Sequence, residues 1–300
     1  MIDTQFAFDR YESLRGALPQ AKFPKASQTG STLRDTAEHF DAYILDAFGV
    51  LNRGETAIKG AVERMSELRA AGKKLIVLTN AASYTRVEIL AKYHRLGFDF
   101  TADEVVSSRD IAFANLPTLK DDLVWAAISA EGDDFSDAPD QAPLEDLISN
   151  PSLLGTAGGF LFLSAARWGA EETLELSNAL KATPRPLVIA NPDLVAPRED
   201  GLTIEPGLIA HDILAQTSTD TAFYGKPYDN AFDTALAKLT DIPRDRIAMV
   251  GDTLHTDVLG GAAAGIGTIL ITDHGLFRGC DVTPFIEKSG IRPDWIIATT

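Results

Sequence analysis

One cysteine in 300 residues, Cys280, leaves no partner for an intrachain disulfide. The chain is therefore not a disulfide framework, and a reducing compartment suits it. No stretch approaches the roughly 18 to 20 continuous apolar residues of a membrane-spanning helix, and the first 30 residues lack the apolar run of a secretory signal. Asp3, Asp9 and Glu12 break the acid-poor pattern of a transit peptide. Cytoplasm is the expected location, with no membrane as partner. Basic residues are scarce too: 27 Lys and Arg face 43 Asp and Glu, a formal net charge of -16. A nucleic acid would meet repulsion and few counter-charges, so none is expected. An anionic metabolite would meet the same field unless a cation reversed its sign locally, which favours a metal in any anion site.

What the chain does have is an ordinary globular balance, 45% apolar and 23% charged residues. Its length suits two domains or one large one. Residues 1–32 read as a short helix and an extended lead-in, an N-terminal extension. From residue 42 short apolar runs alternate with amphipathic helical stretches. Ala42-Tyr43-Ile44-Leu45 stops at Asp46, helix 61–71 stops at Gly72, Leu75 to Leu78 stops at Thr79-Asn80, and helix 86–96 stops at Gly97. Such alternation predicts an α/β fold, a doubly wound, Rossmann-like parallel sheet covered on both faces. Residues 110–204 change texture, with an acidic, Pro-punctuated loop at 131–146 and apolar runs at 123–128, 160–163 and 187–190. They read as a separate α/β unit inserted into a core of residues 33–109 and 205–300. After Pro206-Gly207 the doubly wound pattern is expected to resume, with strands at 222–224, 247–250, 268–271 and 295–297.

Ligands of open parallel sheets bind beyond the carboxyl ends of the strands. Four such ends carry complementary groups: Asp46, Thr79 with Asn80, Gly225-Lys226-Pro227, and Gly251-Asp252 followed by Thr256-Asp257. Singly, each has a plain reading as a helix cap, a turn residue or a solvated amine. Together they supply a carboxylate nucleophile, a hydroxyl, a cation and an acidic pair, the parts needed for phosphoryl transfer with Mg²⁺. A hard cation takes oxygen ligands, so Asp46, Asp252 and Asp257 are its expected holders. Thr79 would orient the phosphoryl oxygens, and Lys226 would neutralise charge developing on them.

The four motifs, Asp46 with Gly49 and Val50, Thr79-Asn80, Lys226-Pro227, and Gly251-Asp252 with Thr256-Asp257, resemble those of the haloacid dehalogenase superfamily. The resemblance covers roughly residues 40–300. It is strongest to subclass IIA, whose α/β cap is inserted between the second and third motifs and whose members include p-nitrophenyl phosphate, phosphoglycolate and pyridoxal phosphate phosphatases. Asn191-Pro192-Asp193, followed by Pro197, resembles a loop near the end of that cap. The resemblance implies an Mg²⁺-dependent phosphatase of a small phosphorylated metabolite, acting through an aspartyl-phosphate on Asp46, with the Phe48 backbone carbonyl as a further metal ligand. It also implies a homodimer formed through the cap.

The sequence departs from the pattern at one place. Phosphatases of the superfamily carry a second Asp two positions after the nucleophile, as acid and base, and this chain has Phe48 there. General acid–base catalysis is worth about 10² to 10⁴-fold, so its loss predicts a hydrolase sensitive to leaving-group basicity. The alternative is a phosphometabolite-binding protein without turnover. Glu55 and His255 are the nearby candidates in sequence for a substitute proton donor. Asn191, Asp193 and Arg198 are placed to meet the substrate from the cap, Arg198 by pairing with a carboxylate or a second phosphate. Trp125 and the pair Arg167-Trp168 read as cap packing or as an association surface.

Overall fold

Every residue of the strand Ala42–Leu45 is buried, and successive side chains leave it on opposite faces. Tyr43 and Leu45 join one apolar cluster with Leu75, Val77 and Val250, whereas Ala42 and Ile44 join another with Ile76, Leu78 and Met249. A strand apolar on both sides has to be covered on both sides, as in doubly wound folds. The computed structural model, which describes residues 2–120, 123–198 and 201–300, shows this arrangement. Seven parallel strands run in the order Gln28–Thr32, Trp295–Thr299, Gly267–Ile271, Ile247–Gly251, Ala42–Leu45, Lys74–Thr79 and Val105–Ser107.

A second parallel sheet has five strands, in the order Thr221–Phe223, Leu187–Ile189, Gly159–Phe162, Trp125–Ile128 and Leu144–Asp146. One face carries Phe160, Phe162, Leu187 and Ile189 against helices Ala170–Ala182 and Pro206–Leu214. The other carries Trp125, Leu161 and Val188 against Ala82 and helix Ser108–Asn115, which follows the edge strand of the first sheet. An antiparallel hairpin, Val195–Arg198 with Gly201–Ile204, extends beside it.

Two boundaries differ from the sequence reading. The doubly wound core does not resume at residue 205: helix Pro206–Leu214 packs on the second sheet, and Thr221–Phe223 pairs with Leu187–Ile189 in it. Local apolar runs look alike in either sheet, and only the pairing partner distinguishes them. Residues 1–32 are likewise no loose extension. Gln28–Thr32 is the edge strand of the first sheet, beside Trp295–Thr299, and helix Thr4–Ser13 buries Ala7, Phe8 and Tyr11. Trp125 is fully buried, with its indole N–H donating to the Pro117 carbonyl at 3.1 Å, so it is packing and no association surface. Arg167 pairs with Asp146 at 2.7 Å, and the Trp168 ring stands edge-on to Phe162.

Candidate active site

Asp46 follows the last residue of its strand. Its amide still donates across the sheet to the Val250 carbonyl at 2.9 Å, while Oδ1 accepts from the next amide, Ala47, at 2.7 Å and turns the chain away. The adjacent strand Ile247–Gly251 delivers Asp252, and a single wide π-helical turn, Leu254–Val258, brings Asp257 back beneath it. Asp257 Oδ2 accepts from the amides of Asp252 and Thr253 at 3.1 and 3.0 Å; Asp252 Oδ2 accepts from the Leu276 amide at 2.7 Å. Close approach here requires glycine. A Cβ at Gly251 would lie 2.0 Å from Asp257 Cγ, and one at Gly49, whose φ is +77°, would lie 2.7 Å from Asp252 Cβ.

Lys226 reaches the same point from elsewhere. It lies three residues beyond Thr221–Phe223, the edge strand of the second sheet, so only three of the four motifs end strands of the first. Its Nζ is 2.6 Å from Asp46 Oδ1 and 2.7 Å from Asp257 Oδ1. The Lys226–Pro227 peptide is cis. Asn80 fixes this segment by accepting from the Lys226 amide at 2.7 Å and donating to its carbonyl at 2.9 Å.

Carboxylate oxygens of Asp46, Asp252 and Asp257 all lie within 4.8 Å of one another, and all three residues are buried. One lysine pairs with two of these three acids, Asp46 and Asp257. Burial, offset by Lys226 and reinforced by Asp257, pushes the Asp46 carboxyl up to about 6. Burial, with Asp257 and Asp46 beside it, pushes Asp252 up to about 8. Burial works against the Lys226 charge, but Asp257, Asp46 and Asp193 outweigh it and raise the ammonium above its usual range. The cluster is short of positive charge, and its all-oxygen donor set fits a hard divalent cation.

Above it opens a cavity of about 520 Å³ lined by Asp46, Phe48, Thr79, Asn80 and Asp252 from the first sheet and by Asn191, Asp193, Arg198 and Glu205 from the second unit. Asp257 lies in the carboxylate cluster and Lys226 contacts two of its members, while Asp46, Phe48, Thr79, Asn80, Asn191, Asp193, Arg198 and Asp252 line this wall. Arg198 differs in one respect from the expectation: its guanidinium already donates to Glu205 at 3.1 Å and lies 4.9 Å over the Phe48 ring. Glu205 was not foreseen, because no spacing marks a lone acid before a proline. Neither Glu55 nor His255 lines the cavity. Glu55 pairs with Lys92 at 2.7 Å, and His255 faces away, 2.6 Å from Glu12.

Fold and site together define a capped, doubly wound α/β protein whose acidic, lysine-bearing centre lies at the carboxyl ends of its strands. Two family models match: haloacid dehalogenase-like hydrolase over residues 43–136, and a second, HAD-hydrolase-like, over residues 223–299. The chain belongs to the haloacid dehalogenase-like hydrolases. It is 28% identical to the glycerol-3-phosphate phosphatase of Gallus gallus, over 89% of this chain and 92% of that one. It is 26% identical to the acid sugar phosphatase of Staphylococcus saprophyticus, over 86% and 94% of the two chains. Among solved structures, one from Cytophaga hutchinsonii described as a possible sugar phosphatase superposes with a TM-score of 0.79 at 25% identity, over 91% and 98% of the chains. The p-nitrophenyl phosphatase of Archaeoglobus fulgidus, at 23% identity over 87% and 96% of the chains, shares the fold with a TM-score of 0.69.

Proposed function

We propose that the protein is an Mg²⁺-dependent phosphatase of a small phosphorylated metabolite, with the unit around the second sheet as its cap. The observation that carries this reading is Asp46 at the floor of a cavity, 2.6 Å from Lys226 and within 4.8 Å of two further carboxylates. Asp46 attacks phosphorus and becomes the aspartyl-phosphate. Asp46, Asp252, Asp257 and the Phe48 carbonyl hold Mg²⁺, which when bound offsets charge on the phosphoryl group. Lys226 holds Asp46 in place and neutralises charge at the same oxygens, while Thr79 and Asn80 orient them. Asn191, Asp193 and Arg198 meet the remainder of the substrate. The relatives named for glycerol 3-phosphate and sugar phosphates support a small phosphate ester as substrate.

The test is turnover of p-nitrophenyl phosphate and a panel of phosphorylated metabolites, with Mg²⁺ and with chelator. Asp46→Asn is expected to lose about 10³-fold or more while remaining folded. Turnover that survives this substitution overturns the reading. A second reading, binding without turnover, is favoured by Phe48 in the acid's place. It requires the ligand to be recovered intact and no phosphoenzyme to form.

A further inference from the structure

With Phe48 where an acid is expected, the proton for the leaving group has to come from another wall of the cavity. Most of the acids lining it are already committed. Glu88 accepts from the amide and the hydroxyl of Thr85, both at 2.8 Å, as part of a helix cap. Glu205 accepts from Asn191, Arg198 and Thr203. Asp46 and Asp252 belong to the carboxylate cluster, and Glu131 stands exposed at the rim. Asp193 is different.

Its backbone is held at both ends, the amide donating to Asn191 Oδ1 and the carbonyl accepting from the Gly207 amide, each at 3.0 Å. Its Oδ1 accepts from Asn80 Nδ2 at 2.8 Å. Asn80 is in turn locked onto the Lys226 peptide, and Lys226 touches Asp46. Asp193 is thereby tethered from the cap side to the frame that carries the nucleophile. Its Oδ2 has no hydrogen-bond donor among the described residues, and the residue lines the cavity. Desolvation is the largest influence on this carboxyl; Lys226 and Asn80 oppose it, Asp46 and Asp257 reinforce it, and the outcome is well above the usual carboxylate range. A cation in the cluster would weaken the push from Asp46 and Asp257 but leave the desolvation.

We propose that Asp193 is the general acid and base of this site, serving from the cap the role that position 48 does not. The inference rests on the phosphatase reading above. In the first half-reaction Asp46 forms a bond to phosphorus as the ester P–O bond breaks, and the Asp193 proton passes to the departing oxygen, which leaves as an alcohol. In the second, water attacks phosphorus and gives its proton to the Asp193 carboxylate. Inorganic phosphate and the original Asp46 carboxylate result, with Asp193 protonated again.

Asp193→Asn keeps the shape and removes the proton. Its kcat/KM, which reports the first half-reaction, is to be measured on p-nitrophenyl phosphate and on alkyl phosphates such as glycerol 3-phosphate, phosphoglycolate and a sugar phosphate. A loss of about 10² to 10⁴-fold is expected on the alkyl ester that the wild type cleaves best. For p-nitrophenyl phosphate, whose leaving group needs little help, the expected loss is under about tenfold, which also shows that the variant is folded. Phosphoenzyme should accumulate in the variant, because the attacking water has lost its base. Equal losses on both ester classes, or no loss on either, overturn the proposal. So does a wild type that cleaves p-nitrophenyl phosphate but none of the alkyl esters, and that outcome leaves the phosphatase reading standing. Retained turnover in Asp46→Asn removes the phosphatase reading itself, so the two failures are distinguishable.

Discussion

At position 48 the aromatic ring stands between two cations, with Lys92 Nζ 5.1 Å and the Arg198 guanidinium 4.9 Å from its centroid. Phe48 thus joins the first sheet's loops to the cap hairpin through its faces, where a carboxylate would have offered only charge. Another single residue has a comparable joining role. Arg109 is fully buried and donates to Asp133 at 2.6 and 2.8 Å, to Asp137 at 2.7 to 3.2 Å, and to the Ala82 carbonyl at 3.2 Å. Burial opposes its charge, but the two aspartates outweigh it and raise the guanidinium further above its usual range. The acidic loop at 131–146 is therefore folded onto a cation carried by helix Ser108–Asn115. Arg109→Met would strand both carboxylates, and a loss of about 3 to 5 kcal/mol is expected in urea denaturation. A change below about 1 kcal/mol would show that the acids simply rehydrate.

Helix Thr4–Ser13 shows how one element can serve two units. Asp3 caps it by accepting from the Phe6 amide at 2.8 Å, and the face carrying Ala7, Phe8 and Tyr11 turns inward. The Tyr11 ring stacks on His255, which lies in sequence between the clustered carboxylates Asp252 and Asp257, with centroids 5.0 Å apart. The same residue's hydroxyl accepts from the amide of Leu194, next to Asp193, at 3.1 Å. Burial lowers the His255 ring to about 4 despite Glu12, so the neutral imidazole donates to that carboxylate. Arg10 adds an ion pair to Asp212, on a helix of the second sheet. Tyr11→Phe keeps the stacking but leaves the buried Leu194 amide without its acceptor. A cost of about 1 to 3 kcal/mol is expected in thermal or chemical melting, together with a raised KM as the loop at 191–194 loosens. Unchanged stability and KM would deny the helix this role.

Across the whole molecule, the site is a place where repulsion is concentrated: three buried carboxylates, a fourth at the cavity wall, and one lysine. Mg²⁺ binding to the folded chain alone should relieve that repulsion, stabilising it by about 2.7 kcal/mol at a hundredfold excess over Kd. The check is the melting temperature with and without Mg²⁺, in wild type and in Asp252→Asn. A rise confined to the wild type is expected, and an equal rise in both would place the ion elsewhere.

The sequence alone determined that this is a doubly wound α/β chain, because strands buried on both faces are written as short apolar runs and their ends as polar residues. By the same logic it marked Asp46, Thr79, Asp252 and Asp257. Tertiary structure decided what local pattern cannot encode. Thr221–Phe223 and Ala42–Leu45 read alike as apolar runs, and only pairing put them in different sheets. The Asn80 to Asp193 hydrogen bond spans 113 residues, and Tyr11 meets Leu194 across 183. Such contacts follow from how the two sheets pack, so Asp193 could be marked in the sequence as a cap residue, but its tie to Asn80 became visible only in three dimensions.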